Sequence, residues 1–401
     1  MAPYIAVSLV LTVVALLDVE YPRLEREFAA ISLIVATGFA ALRYQTGYDW
    51  ITYEEYFDST ADLATAVYRG IPHQDTPMEP LFYGLNMLIK SIGGSLVLVF
   101  TVAAIFNCAV IHAVTGRISD GRCLMWSLYF ALAFPIAQLS IIRQSLAASF
   151  VLLALLLAAQ GITAFALLLL AIGVGFHASA LIYLPIVFLL KLRPNPWLIL
   201  FTAVLGICLL LADVRLINPA IDLGTQLFPH WLAKLRFYYQ TEPPHISLGV
   251  AALILWHCGI LGLILKGASE GERSCPYIGV ALWLTLWVLG AHLYLAGFPN
   301  LWNRVMCVAI PWQAAALWRL DIIRRSTSPA KLGIVAVLGA AGLAGLIYTL
   351  QKPESAPLVP YHSLVQLWLY GDEGDGRTRS EIWLQDYNAM NAEKRQELSD
   401  R

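Results

Sequence analysis

Long apolar runs alternate with short polar breaks along most of the chain, at 3–17, 28–42, 81–115, 123–139, 144–160, 162–175, 178–190, 196–212, 247–265, 275–295, 302–318 and 332–350. A helix needs roughly 20 predominantly apolar residues to cross a bilayer unaided, and most of these runs approach that length. The pattern predicts an all-α fold, a polytopic transmembrane helical bundle of about 12 spans, some of them short or broken. The run 81–115 exceeds a bilayer's thickness, so it is expected to begin as an interfacial segment with Lys90 snorkelling.

The stretch 162–190 decides the topology. Read as one helix, it would place Lys266, Arg273, Arg319, Arg324, Arg325 and Lys331 outside, against the positive-inside tendency. Read as two short passes broken near Gly173, Gly175 and His177, it places them inside, with Arg23, Arg26, Arg117, Arg122, Lys191 and Arg193. The second reading is preferred. Passes that short are tolerated at membrane depth where protein or a water-filled cavity surrounds them, so the break itself points to a cavity. Residues 1–350 then form the transmembrane domain, with outer loops 43–80 and 213–246, and 351–401 form a C-terminal extramembrane tail. The tail from Gly371 on is polar and expected to be partly disordered. No internal repeat of the kind common in secondary transporters is visible.

Composition agrees with the membrane reading: 59% of the 401 residues are hydrophobic and 13% charged, against roughly a quarter charged in soluble domains. The net charge of -1 provides no field for nucleic acid. The cysteines lie in or at the ends of apolar runs without C-x-x-C spacing and read as small buried hydrophobes. Met1 to Leu17 lacks a basic n-region and a small-residue cleavage site, and reads as a retained first span. No metal cluster with ligand spacing and no Walker or Rossmann signature is present, so neither metal nor cofactor is expected.

The chemistry-bearing residues gather at the outer ends of spans. Arg43-Tyr44-Gln45-Thr46-Gly47-Tyr48-Asp49-Trp50 leaves the second span, followed by Tyr53 and Tyr56, three apart and so on one helical face. Glu79-Pro80 opens the third span, with proline at a favoured helix start. Arg143-Gln144-Ser145 occupies the turn between the fourth and fifth, and Phe176-His177-Ala178-Ser179 is the proposed break. Asn303-Arg304 begins a later span, Arg236 sits in the second outer loop, and Pro360-Tyr361-His362-Ser363 lies in the tail.

Each arginine alone is explained as an interfacial anchor. Arg43, Arg143 and Arg304 together are cations on the side where topology disfavours them, and a planar guanidinium matches phosphate oxygens bidentately. Such a set suits a phosphate or diphosphate at membrane level. Asp49, Glu79 and His177 are candidate bases, though either carboxylate could instead neutralise an arginine and the histidine could be a satisfied core residue. The aromatic run 48–57 reads equally as an interfacial belt or a sugar-stacking surface.

These motifs resemble the EpsG family of Wzy-like membrane proteins from bacterial exopolysaccharide operons. The resemblance rests on Arg43-Tyr44 with Gly47-Tyr48-Asp49 and Tyr53, and on Glu79-Pro80 ahead of Tyr83, Leu85 and Asn86. It extends to Arg143-Gln144 with Ala147, to Phe176-His177-Ala178-Ser179-Ala180-Leu181, and to Asn303-Arg304 and Pro360-Tyr361-His362-Ser363. Family members often show Gly-Thr-Asp-Tyr where this chain has Gly47-Tyr48-Asp49-Trp50.

The resemblance implies a Wzy-like, GT-C-like fold in the bacterial inner membrane. It further implies inverting, metal-independent glycosyl transfer on the periplasmic face, joining polyprenyl-diphosphate-linked oligosaccharide repeat units. Arg143, Arg304 and Arg43 would stabilise the diphosphate. One of Asp49, Glu79 and His177 would take the acceptor proton. Tyr48, Trp50, Tyr53 and Tyr56 would hold sugar rings, with Gln144, Ser179, Arg236 and Asn303 as further substrate contacts. The partners implied are the lipid-linked oligosaccharide, membrane lipid, and a chain-length regulator or export complex. The alternatives are a lipid-linked oligosaccharide transporter or flippase, and an outer-face ligase.

Overall fold

The structure, a computed structural model, describes residues 1–70, 78–190, 196–212, 248–267, 275–294 and 299–399, with Leu192 and Leu223 between them. The outer loop expected over 213–246, Arg236 included, lies outside the described residues apart from Leu223. The chain opens with α1 (Ala2–Glu20), α2 (Glu25–Ala41), the short strand β1 (Arg43–Tyr44), α3 (Trp50–Ser59) and α4 (Leu63–Arg69). Then follow α5 (Pro80–Ser91), α6 (Leu96–Ile118), α7 (Arg122–Leu132), α8 (Phe134–Leu139), α9 (Ile142–Ala159) and α10 (Thr163–Phe176). A 3₁₀ turn (Ala178–Tyr183) leads into α11 (Leu184–Leu189), and α12 (Pro196–Leu211) and α13 (Leu248–Gly267) come next. The remainder is α14 (Pro276–Tyr294), α15 (Pro299–Arg319), α16 (Asp321–Arg324), α17 (Ser328–Leu350), β2 (His362–Ser363), α18 (Leu364–Tyr370) and α19 (Gly376–Ser399).

The helical membrane architecture is as expected, and the count of about 12 spans is not confirmed. Among the described residues, five helices are long and apolar enough to cross a bilayer: α1, α6, α9, α14 and α17. Several of the apolar runs are divided. The run 81–115 divides at Gly93, whose φ of +73° ends α5 before α6 begins. Lys90 at the end of α5 donates to the Phe57 and Asp58 carbonyls at 3.0 and 2.8 Å, tying α5 to α3. The run 123–139 breaks at Ala133, just ahead of Pro135 in the first turn of α8. The stretch 162–190 breaks at His177, the position read from the sequence, and resumes as a 3₁₀ turn.

Polar contacts fix the two ends of the bundle. At one end Glu25 of α2 receives two hydrogen bonds from Arg122 of α7, at 2.9 and 2.8 Å. There Arg319, ending α15, donates to the Ile118 carbonyl at the end of α6 at 2.7 Å. The opposite ends of these helices carry β1, the start of α9, the His177 break and Arg304. Small residues bring helices close between the ends: a Cβ on Gly342 of α17 would stand 3.1 Å from the Ala131 Cβ of α7.

The tail is folded, correcting the expected partial disorder. β2 pairs antiparallel with β1, Arg43 opposite Ser363 and Tyr44 opposite His362. Tyr361 stacks on Phe39 at 4.1 Å and donates its hydroxyl to the Phe39 carbonyl at 2.6 Å. Residues 376–399 form α19, which lies against the segment after β1: Trp50 Nε1 donates to Ser380 Oγ at 2.9 Å, Arg377 pairs with Glu54, and Tyr48 lies 5.3 Å from Trp383.

Candidate functional site

Glu79 stands as the N-cap of α5, with Pro80 as the first helical residue, which aims its carboxylate off the start of the helix. Arg143 enters from the first turn of α9, and its Nη1 donates to Glu79 Oε2 at 2.6 Å. His177 arrives from the end of α10, with Nε2 3.7 Å from Glu79 Oε1. The three side chains are 11–23% exposed, so the group is largely buried yet open to a ligand.

The tautomer of His177 follows from its other nitrogen. The Ser179 backbone N–H donates to Nδ1 at 3.0 Å, and the Ser179 hydroxyl lies 2.8 Å from the same atom. A backbone N–H only donates, so Nδ1 accepts and a neutral ring carries its proton on Nε2, facing Glu79. Burial pushes the Glu79 carboxyl up, but Arg143 and then His177 outweigh it and hold the group below the ordinary carboxylate value. Tyr53 lies beneath, its ring centroid 5.9 Å from the Arg143 guanidinium carbon. Burial, with the charge of Asp49 added, pushes the Tyr53 hydroxyl up to about 12, against the opposing influence of Arg143. It therefore stays protonated at neutral pH.

On the neighbouring face of α9 lies a narrow cleft. Its lining includes Gln144, Ser179, Tyr183 and Arg304 against small alanine walls. Successive residues on a helix point about 100° apart, so Arg143 meets Glu79 while Gln144 faces the cleft. The Tyr183 hydroxyl donates to the Arg304 carbonyl at 3.0 Å and fixes the start of α15 at the cleft. Ser179 belongs to both assemblies, holding His177 and lining the cleft.

Arg43 is placed elsewhere. It is 3% exposed, lies 3.9 Å over the Phe100 ring, and donates Nη1 to the Gln138 carbonyl at 2.7 Å. Burial pushes its guanidinium down to about 10, still cationic at neutral pH. The aromatic residues are also packed rather than displayed: Trp50, Tyr53 and Tyr56 are 2–4% exposed, and Tyr48 is covered by Trp383. The helical face shared by Tyr53 and Tyr56 is real, but it faces Phe82 and the core. Asp49 precedes α3, where its carbonyl accepts the Tyr53 N–H at 2.9 Å. Asn303 lies on α15, its side chain outside the described residues, as is Arg236.

Two groups escaped the sequence reading. Tyr183 gave no signal beyond an aromatic in an apolar run. Asn107 in α6 did give one, an amide amid apolar residues. Its Nδ2 donates to Gln138 Oε1 at 3.2 Å and Ser145 Oγ at 2.8 Å, and its Oδ1 accepts from Ser149 at 2.7 Å. This buried network ties α6 to the first turns of α9 and, through Gln138, to the segment that Arg43 holds.

The family model described as the EpsG family matches residues 28–363. The chain belongs to the EpsG family. No curated protein and no solved structure matches it. The EpsG match spans β1, Glu79, the α9 start, the His177 break, Arg304 and β2, and stops before α18 and α19. As an EpsG family protein with membrane-spanning helices, it fits a role in polysaccharide biosynthesis.

Proposed function

We propose that this EpsG-family protein is a polysaccharide polymerase, joining polyprenyl-diphosphate-linked oligosaccharide repeat units on the periplasmic face of the inner membrane by inverting glycosyl transfer. The observation that carries the reading is the juxtaposition of an arginine-held carboxylate with a cleft bearing a second arginine, at one end of a membrane bundle. Glycosyl transfer from a lipid diphosphate needs those two things side by side: a base for an incoming hydroxyl and cations for a departing diphosphate.

In this mechanism the acceptor hydroxyl of one repeat unit approaches Glu79. Its oxygen bonds to the anomeric carbon of the glycan on the second lipid, the anomeric carbon–oxygen bond to the diphosphate breaks, and the hydroxyl proton passes to Glu79. Attack opposite the departing group inverts the anomeric centre. Arg304 and Gln144 hold the diphosphate in the cleft, and Arg304 stabilises the charge that grows on it. Arg143 acts on the base: its Nη1 keeps Glu79 ionised. His177, with its proton on Nε2, orients Glu79 and is itself held by Ser179. Arg43 serves the site by fixing the segment before α9 through Gln138.

The test is incubation of the purified protein with a short lipid-diphosphate-linked repeat unit and no sugar nucleotide, with products resolved by length. A ladder of repeat units supports polymerisation. A single unit moved onto a different acceptor would indicate a ligase, and translocation into vesicles without any product a transporter.

A further inference from the structure

The seven-residue helix α18 is specified more firmly than its packing warrants. Ser363 and Gln366 form a reciprocal capping box at its start, and Gly371 closes it in the left-handed conformation at φ +64°. Yet Leu364 is the only residue it buries. Val365, Trp368 and Leu369, at the i, i+3, i+4 spacing of one face, are 38, 70 and 68% exposed, and Tyr370 is 78% exposed.

Its position says what covers that face. The Leu364 N–H donates to the Leu42 carbonyl at 2.7 Å, one residue past the end of α2. Two turns below that end Ile34 of α2 is 69% exposed, and Thr101, in the second turn of the span-length helix α6, donates to the Ala41 carbonyl at 3.3 Å. The helix therefore leaves the protein at the height where membrane helices end. Tryptophan and tyrosine concentrate there in membrane proteins, their rings in the acyl region and their polar edges at the headgroups. The flanking charges are acidic, Asp372, Glu373 and Asp375, so attraction to anionic lipid does not contribute.

We propose that α18 is an interfacial foot whose Val365, Trp368, Leu369 and Tyr370 insert into the headgroup–acyl boundary of the outer leaflet. The tail is then anchored to lipid as well as to protein. Because α18 continues directly from β2, the foot sets the height of the strand paired with Arg43, and so registers the outer end of the bundle against the bilayer surface. The inference is independent of the polymerase reading and lies beyond the residues matched to the family.

Photo-crosslinking tests it. p-Benzoylphenylalanine is placed singly at Leu369, at Ile34 as a lipid-facing control, and at Glu373 as a water-facing control. Each full-length protein is reconstituted in phosphatidylcholine nanodiscs and irradiated, and adducts are read by mass. The expected result is a phospholipid adduct at Leu369 with a yield within about threefold of Ile34 and about tenfold above Glu373, unchanged by salt. A Leu369 yield no greater than that of Glu373, or an adduct to another protein chain instead of lipid, would overturn it.

Discussion

Glu79 is held between opposing influences, and that balance makes its chemistry testable. Burial favours the neutral acid, while Arg143 at 2.6 Å and His177 favour the carboxylate and prevail. A base with a depressed pKa is active above that pKa and is lost as pH falls through it. Arg143→Ala removes the larger favourable influence and leaves burial opposed by His177 and the backbone of Glu79, so the pKa is expected to rise. The acid limb of the pH–rate profile of this variant is expected to shift to higher pH, on top of a fall in kcat of about 100- to 1,000-fold. Arg304→Ala, by contrast, is expected to lower the rate by a similar factor of about 100 to 1,000 with no shift of that limb, because Arg304 acts on the leaving group. Glu79→Gln keeps the shape and removes the base, and a loss of about 100- to 10,000-fold is expected in kcat. An unshifted acid limb in Arg143→Ala would separate Glu79 from the proton transfer.

At the scale of elements, α9 presents Arg143 and Gln144 in two directions at once, and the Asn107 network sets its rotation. Asn107→Leu keeps the volume but leaves Gln138 Oε1 without its donor, whereas Ser145 and Ser149 retain bonds to the Ile142 and Ser145 carbonyls. A buried acceptor left unmet costs about 1–3 kcal/mol, to be read as a lower thermal midpoint in detergent. The tail depends on Arg379, which donates to the carbonyls of Ala356, Val359 and Pro360 and to Asp375. Arg379→Ala is expected to expose the loop around Asp372 to protease at least tenfold faster, with the bundle left intact. The sequence disclosed the break at His177 and the helical face of Tyr53 and Tyr56, since both are local patterns. It misassigned what that face meets, because aromatic spacing is the same whether a ring packs on Phe82 or awaits a sugar. It likewise read α19 as partly disordered: the residues are polar, and their partners Glu54, Trp50 and Gln45 lie more than 300 positions away.

Across the whole molecule, alternating apolar runs and the sidedness of charge were enough to place Arg143, Glu79, His177 and Arg304 at one end of a membrane bundle. The pairing of Arg143 with Glu79 was not legible, since it joins residues 64 apart whose spacing carries no period. The same opacity hid the removal of Arg43 to an interior place over Phe100. With fixed cations assigned to the diphosphate, activity is expected to persist after exhaustive chelation of divalent metals, measured on the same substrate. The most direct test of the account is the length-resolved assay with a lipid-diphosphate-linked repeat unit, run in parallel on wild type, Arg304→Ala and Glu79→Gln. The account predicts a ladder of repeat units from wild type and its near-complete loss in both variants with their folding preserved. Equal ladders from all three proteins would contradict it.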